Sequence, residues 1–194
     1  MTEAKIFQLW PICLYKSSFD IDEDTKQLFY NEEYERMPSG NGDYTKNKYL
    51  LHDKKYSYVI ENIMKHLNGF TKKYMTVNDE VSFYLQNSWA VKHNGNDWGQ
   101  THSHANSLFS GVLYLDTPKD SGAILFDAET RPTWSTRTIE PKLDEHTILN
   151  SRSYRIEPHR GMSLVFPSHM NHSVELNRSG QNRYSLAYDV MMWW

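Results

Sequence analysis

"THSHANSLFSGVLYL" (Thr101 to Leu115) sets two histidines one residue apart, directly in front of a long apolar run. On an extended chain, residues i and i+2 project to the same side, so His102 and His104 face one way and Ser103 the other. Two imidazoles on one side are either solvated turn residues or two ligands of one metal ion. What the rest of the chain brings to meet them decides between these, and decides whether the apolar run is a plain core strand or the wall of a site.

A third group stands far downstream in "GMSLVFPSHMNHSVEL" (Gly161 to Leu176), where an apolar strand ends at Pro167 and His172 opens the next. Distant ligands converging from neighbouring strands are what a jelly roll provides. A fourth element follows in "NRYSLAY". Arg183 lies 11 residues beyond His172. On a strand, Arg183 and Ser185 face the same way and can grip one carboxylate, the guanidinium as a fork and the hydroxyl as a donor.

The surroundings suit such a fold. In "VSFYLQNSWAV", Val81, Phe83, Leu85, Trp89 and Val91 fall on one face at period two, which predicts a strand. Ser110 to Leu115, Ala123 to Phe126, Ser163 to Phe166, His172 to Leu176 and Arg183 to Met191 read as further short strands between turn residues. "KHNGNDWGQT" and "MPSGNGDYTKNKYLLHD" read as loops. "KIFQLWPICLYKSSF", interrupted by Pro11, reads as an edge strand or two short ones. Helical signals are confined to the first part of the chain. "DIDEDTKQLFYNEEYERM" has an acidic first turn, and Tyr56 to Tyr74 carries Val59, Ile60, Ile63, Met64, Leu67, Phe70 and Tyr74 at helical spacing. Helices followed by strands predict an α+β protein whose antiparallel sandwich or barrel holds the site.

With 194 residues the chain is long enough for one well-packed domain. A formal charge of −3 argues against a general nucleic-acid or polyanion binder. Arg36 stands alone in the first half, while Arg131, Arg137, Arg152, Arg155, Arg160, Arg178 and Arg183 follow residue 130, so an anionic ligand is expected in the second half. Cys13 is the only cysteine, which excludes an intramolecular disulfide and a thiolate zinc site. No stretch approaches the roughly 20 apolar residues that span a bilayer, and the N-terminus lacks the pattern of a signal peptide. These features predict a soluble protein of a reducing, cytoplasmic compartment.

H-x-H followed by "SGVLYL", then Gly122 in "DSGAILF", then "GMSLVFPSHMNH", then "RYS", resembles the 2-oxoglutarate and iron(II)-dependent dioxygenases of the prolyl-hydroxylase-like group. Within it, the closest resemblance is to a branch of oxygenases frequent in bacteria and their viruses. The resemblance covers about residues 81 to 191. It implies a double-stranded β-helix (a cupin-like jelly roll) over 81–194, with residues 1–80 supplying a strand and buttressing helices of the same single domain. It implies Fe(II) and 2-oxoglutarate as cofactors and O2 as a further substrate. The implied reaction is an oxidative decarboxylation coupled to hydroxylation of an unidentified primary substrate, in the cytoplasm of a bacterium or of a phage-infected host.

Position by position, His102 matches the first iron ligand and His172 the distal one. Arg183 and Ser185 match the clamp on the far carboxylate of 2-oxoglutarate. His104 falls where the family usually carries a carboxylate, so the local motif supplies three neutral imidazoles in place of the two histidines and one carboxylate of the common facial triad. Such a site is expected to hold iron(II) less tightly and at a higher potential, and His104→Asp to strengthen it.

His169 competes with His172 for the distal place. His172 is preferred because it begins "HSVEL", where the family's distal histidine sits. Asp127, after "AILF", is a candidate for the missing carboxylate, against the plainer reading that it ends a strand facing solvent. Tyr114, and Tyr84 or Asn87, are candidates to hydrogen-bond the cosubstrate, although strand tyrosines commonly serve the core. His52, His66, His93, His146 and His159 read as structural. The long span from Asp127 to Pro158, with Arg131, Trp134, Arg137 and Arg152, reads as a specificity loop. "VMMWW" at the C-terminus reads as packing or as a homodimer contact. Two other functions stay open at this point: a cupin-type metal protein without 2-oxoglutarate, and a non-catalytic jelly-roll module. A fixed carboxylate clamp at Arg183 and Ser185 speaks against the first.

Overall fold

The short alternating segments build two antiparallel sheets in a computed structural model that describes residues 5–7, 11–39, 41–128 and 142–194. In chain order the elements are β1 (Tyr15–Ser18), α1 (Glu23–Tyr30), β2 (Tyr34–Arg36), β3 (Asp43–Thr45), α2 (Ser57–Asn68), β4 (Ser82–His93), β5 (Gly99–His102), β6 (Phe109–Asp116), β7 (Ile124–Asp127), β8 (Ser153–Ile156), β9 (Met162–Pro167), β10 (His172–Val174) and β11 (Arg183–Trp193). Seven strands form one sheet in the order β1-β9-β6-β11-β4-β3-β2, and four form the other in the order β5-β10-β7-β8. This is the predicted α+β jelly roll.

Two apolar layers hold it together. Val59, Ile63 and Leu67 recur along one face of α2 and pack with Phe29 of α1 against the outward side of the large sheet, on Leu113, Leu186, Tyr188 and Val190. Between the sheets, Ile124, Phe126 and Ile156 meet Tyr114, Leu164 and Phe166. Along β11 the alternation is strict over the part that matters. Leu186, Tyr188 and Val190 point to the helices, which leaves Arg183, Ser185, Ala187 and Asp189 on the inner face.

The helical reading of Asp20 to Met37 is shortened by the structure. Asp22 caps α1 by accepting from the Thr25 amide at 2.7 Å, and the helix ends at Tyr30. Tyr34–Arg36 then pairs as a strand with Asp43–Thr45, inside the segment read as a loop. Both strands are three residues long and extend the edge of the large sheet beside β4. Tertiary pairing has overridden local propensity there, as it often does for short edge strands. Gly99 to Thr101, read as the end of a loop, belongs to β5 with His102, and Ser153–Ile156 is β8.

β4 carries one further correction. Asn87 pairs with Asp189 and Leu85 with Val190, so Gln86 is an extra residue in the ladder. This bulge switches the phase of the strand. Phe83 and Leu85 face the helices, whereas Trp89 and Val91 face inward and line a cavity with His93. The predicted common face of five residues is therefore two faces, and the inward one belongs to the site.

Gly111 on β6 lies under the Tyr188 ring. A Cβ there would sit 2.1 Å from the ring carbon that bears the phenol oxygen. Gly111→Ala is expected to cost about 1–3 kcal/mol through forced repacking. Thermal unfolding should register this as a fall of several degrees.

Candidate metal centre and anion pocket

β5 and β10 are neighbours at the edge of the small sheet, and their register sets His102 directly opposite His172. Cross-strand partners on one face bring side chains into contact. The two rings lie 4.3 Å apart between centroids. His104, just beyond β5, brings its ring to 5.3 Å from His102 and 5.4 Å from His172. One ring nitrogen from each of the three lies within 4.8 Å of the others.

The outer nitrogens are already engaged. Nδ1 of His102 is 2.8 Å from the Gln100 carbonyl, Nδ1 of His172 is 3.0 Å from the Met170 carbonyl, and Nδ1 of His104 is 2.6 Å from Oδ1 of Asp189. Each of these partners accepts a hydrogen bond, which places the proton on Nδ1 and the lone pair on Nε2. That is the tautomer a metal requires, oriented from outside as metal-binding histidines usually are.

Burial disfavours the charged form of His172 and His102. His172, packed beside Phe126 and Phe166, is pushed down to about 4, chiefly by desolvation. Desolvation of the His102 ring against its two neighbours lowers it as well, although the residue as a whole is exposed. Three imidazole nitrogen donors are a set that suits iron, zinc, copper or nickel. The chemistry of the donors therefore fits an iron(II) ion.

His169 is exposed and lies outside this cluster. Asp127 is also outside it. Its neighbour Phe126 is the residue opposite His172, so Asp127 points to the other face of β7. Arg131, Trp134 and Arg137 lie outside the described residues.

A cavity of about 320 Å³ runs inward from the three histidines. Arg183, Ser185 and Tyr114 line it with Trp89, Val91, Phe166 and Ala187. Arg183 is 1% exposed and faces His93 across the β11–β4 ladder. One of its terminal nitrogens donates to Nδ1 of His93 at 3.0 Å. Its guanidinium carbon lies 5.1 Å from the centre of the Tyr114 ring. Among the described residues no carboxylate pairs with it, and its Nε has no hydrogen-bond partner. The Tyr114 hydroxyl is fully buried beside the guanidinium with no hydrogen bond of good geometry, and burial pushes its pKa up against the opposing pull of Arg183, which keeps it protonated.

An unpaired guanidinium in a protein interior costs several kcal/mol. With its own free Nε and the Tyr114 phenol beside it, it forms a cradle for an anion. Ser185 sits between Val91 and Tyr114 in the same sheet, two residues from Arg183 on the same face.

His93, structural by its sequence context, is the acceptor that holds Arg183. Asp189 escaped notice altogether. The available signal was parity along β11, since residues 183, 185 and 189 share a face. Trp89, expected on one face with Phe83 and Leu85, is turned inward by the bulge at Gln86 and stacks at 5.8 Å on His104.

Burial, with Arg183 beside it, holds His93 down at about 3. Between this value and the ordinary 6.5, the unfolded chain takes up a proton that the folded chain refuses. The stability that neutral His93 contributes is complete above about pH 6.5 and is lost as pH falls towards 3. His93→Gln still offers Arg183 an acceptor but cannot titrate. Urea unfolding between about pH 6 and 4 should give a shallower loss of stability for this variant, by up to about 1.4 kcal/mol per pH unit. Equal slopes would mean that His93 is protonated within the fold.

The sequence model of the family described as "Putative 2OG-Fe(II) oxygenase" matches residues 87–189, which is more than half of the chain and includes all six cavity residues predicted from sequence. No curated protein matches in sequence. Among solved structures, the chain is similar to a 2OG-Fe(II) oxygenase family oxidoreductase from Burkholderia pseudomallei (15% identity, 87% of this chain and 76% of that chain covered, TM-score 0.59). It is also similar to a Pseudomonas putida prolyl-4-hydroxylase (14%, 92% of each chain, TM-score 0.56). HygX from Streptomyces hygroscopicus, crystallised with nickel and 2-oxoglutarate, shares 8% identity over 93% of this chain and 83% of that one, at a TM-score of 0.59. At these identities the structures speak for the fold alone.

Proposed function

This chain belongs to the 2OG-Fe(II) oxygenases, and on that premise we propose that His102, His104 and His172 hold the iron(II) while Arg183 and Ser185 hold the far carboxylate of 2-oxoglutarate. The enzyme is an oxidoreductase that couples oxidative decarboxylation of 2-oxoglutarate to oxidation of a second substrate. The observation that carries the residue assignment is the unpaired Arg183 in the cavity behind the three histidines.

Iron(II), when bound, would activate O2, the oxidant that converts 2-oxoglutarate to succinate and CO2 and hydroxylates a C–H bond, one oxygen atom going to each product. The protein's part is positional. Three Nε2 lone pairs, fixed by hydrogen bonds at the opposite nitrogens, hold the ion. Arg183 meets one carboxylate as a fork, Ser185 adds a hydroxyl donor, and the Tyr114 O–H points into the same space as a third. Ala187 leaves the floor between the two binding regions open. Trp89, Val91 and Phe166 line the walls with apolar surface and exclude water from the bound anion. A cupin-type or non-catalytic module would leave the buried Arg183 without a purpose.

O2 as cosubstrate follows from the family's chemistry. Residues 1–80 and 81–194 act as one domain, supported by β1, β2 and β3, which extend the same sheet as β4, β6, β9 and β11. No helix among the described residues is long and apolar enough to cross a membrane. Exposed Cys13 and an iron(II) site suit the reducing cytoplasm of a bacterium or phage-infected host. Trp193 and Trp194, 62% and 87% exposed, support a contact between two copies.

The test is succinate release in air with iron(II), 2-oxoglutarate and a reductant. Wild-type protein should release succinate slowly without a primary substrate, in an iron-dependent way. Intact metal binding with neither 2-oxoglutarate binding nor succinate release would overturn the reading.

A further inference from the structure

The common facial triad carries one carboxylate at the metal, and this chain has a histidine in that place. We infer that Asp189 supplies the missing negative charge through His104, as a positioning residue hydrogen-bonded to a ligand of the ion. The inference rests on the assignment of His102, His104 and His172 as ligands.

Three observations carry it. His104 is the only one of the three histidines whose Nδ1 meets a carboxylate, while the other two meet neutral carbonyls. Asp189 is 7% exposed and held from several sides: Oδ1 also accepts from Ser110 Oγ at 3.0 Å and from Ser107 Oγ at 3.3 Å, and Asn87 lies opposite it on β4. Ser110 and Ser107 are tied in turn to Ser168 Oγ at 2.9 and 2.8 Å, and the Ser168 carbonyl accepts from the His104 amide at 2.8 Å. This network fixes the backbone and the ring of His104 together.

The carboxylate has no Lys or Arg partner among the described residues, so its charge is directed at the imidazole. A charged acceptor on the far nitrogen makes a ligating histidine more basic and more electron-rich. It does at second hand what an aspartate at position 104 would do directly.

The same geometry revises the effect of His104→Asp. A carboxylate at position 104 would face Asp189 across the space now bridged by a hydrogen bond, and two carboxylates so placed repel. The single change is expected to gain little unless Asp189 is neutralised as well.

Five proteins decide the matter: wild type, Asp189→Asn, His104→Asp, the double variant and His172→Ala, each titrated calorimetrically with cobalt(II). Asp189→Asn should weaken cobalt(II) binding roughly 10–100-fold in the His104 background. It should leave binding unchanged or tighten it when position 104 is Asp. The iron(III)/iron(II) potential of Asp189→Asn should lie above that of wild type. A general folding defect would weaken both backgrounds alike, so an equal loss in both would overturn the inference, as would no loss in either. If wild type itself binds no cobalt(II), the three-histidine assignment fails and this inference with it. If wild type binds and His172→Ala does not, while Asp189→Asn equals wild type, only the role of Asp189 fails.

Discussion

Arg183→Ala should bind 2-oxoglutarate about thirty- to a thousandfold more weakly than wild type, a loss of roughly 2–4 kcal/mol. The size follows from where the residue sits. Arg183 is almost wholly buried, its charge has no partner of opposite sign among the described residues, and the cavity beside it is walled with apolar side chains. A carboxylate entering that cavity meets a charge that is poorly screened and already desolvated, so most of the cost of burying the cation has been met in folding. The neutral His93 holds the guanidinium in place without competing for its charge. Arg183→Lys should fall between wild type and Ala, because one ammonium cannot reproduce the fork. Cobalt(II) binding should survive both changes, since no ligand is touched. The check is calorimetric titration with 2-oxoglutarate in the presence of cobalt(II). If Arg183→Ala binds as tightly as wild type, the clamp lies elsewhere.

The second large effect belongs to His172. His172→Ala should abolish stoichiometric binding of iron(II) or cobalt(II), while His169→Ala leaves it nearly intact. His172 is buried between the two other ligands and the Phe126–Phe166 pair, and its removal leaves two nitrogens where three are needed. No other described Asp, Glu, His or Cys joins the cluster to replace it. His169 stands three residues away on the exposed turn that precedes β10. Anaerobic metal titration of the two variants separates them, and the reverse result would move the distal ligand to position 169.

Much of this site could be read from the sequence because most of its parts lie on or directly beside regular strands. Period two alone aligned His102 with His104 and Arg183 with Ser185, and the break at Pro167 marked His172 as the opening of a new strand. What escaped depends on pairing between strands. The bulge at Gln86, which turns Trp89 inward, exists only in the register of β4 against β11. β2 and β3 are too short to show a period and are held by the sheet edge they join. His93 and Asp189 acquire their roles from cross-strand partners, Arg183 in one case and the His104 loop in the other. A single sequence shows which way a residue points but not which residue it meets.

The central claim is that one cavity holds an iron(II) ion on His102, His104 and His172 and a 2-oxoglutarate on Arg183. Anaerobic titration of the metal-free protein with iron(II) and then 2-oxoglutarate tests both halves at once. A weak visible charge-transfer band should grow to saturation at one equivalent of each, vanish in His172→Ala, and require far more 2-oxoglutarate in Arg183→Ala. A band of unchanged intensity and midpoint in both variants, or none in wild type, would contradict the account.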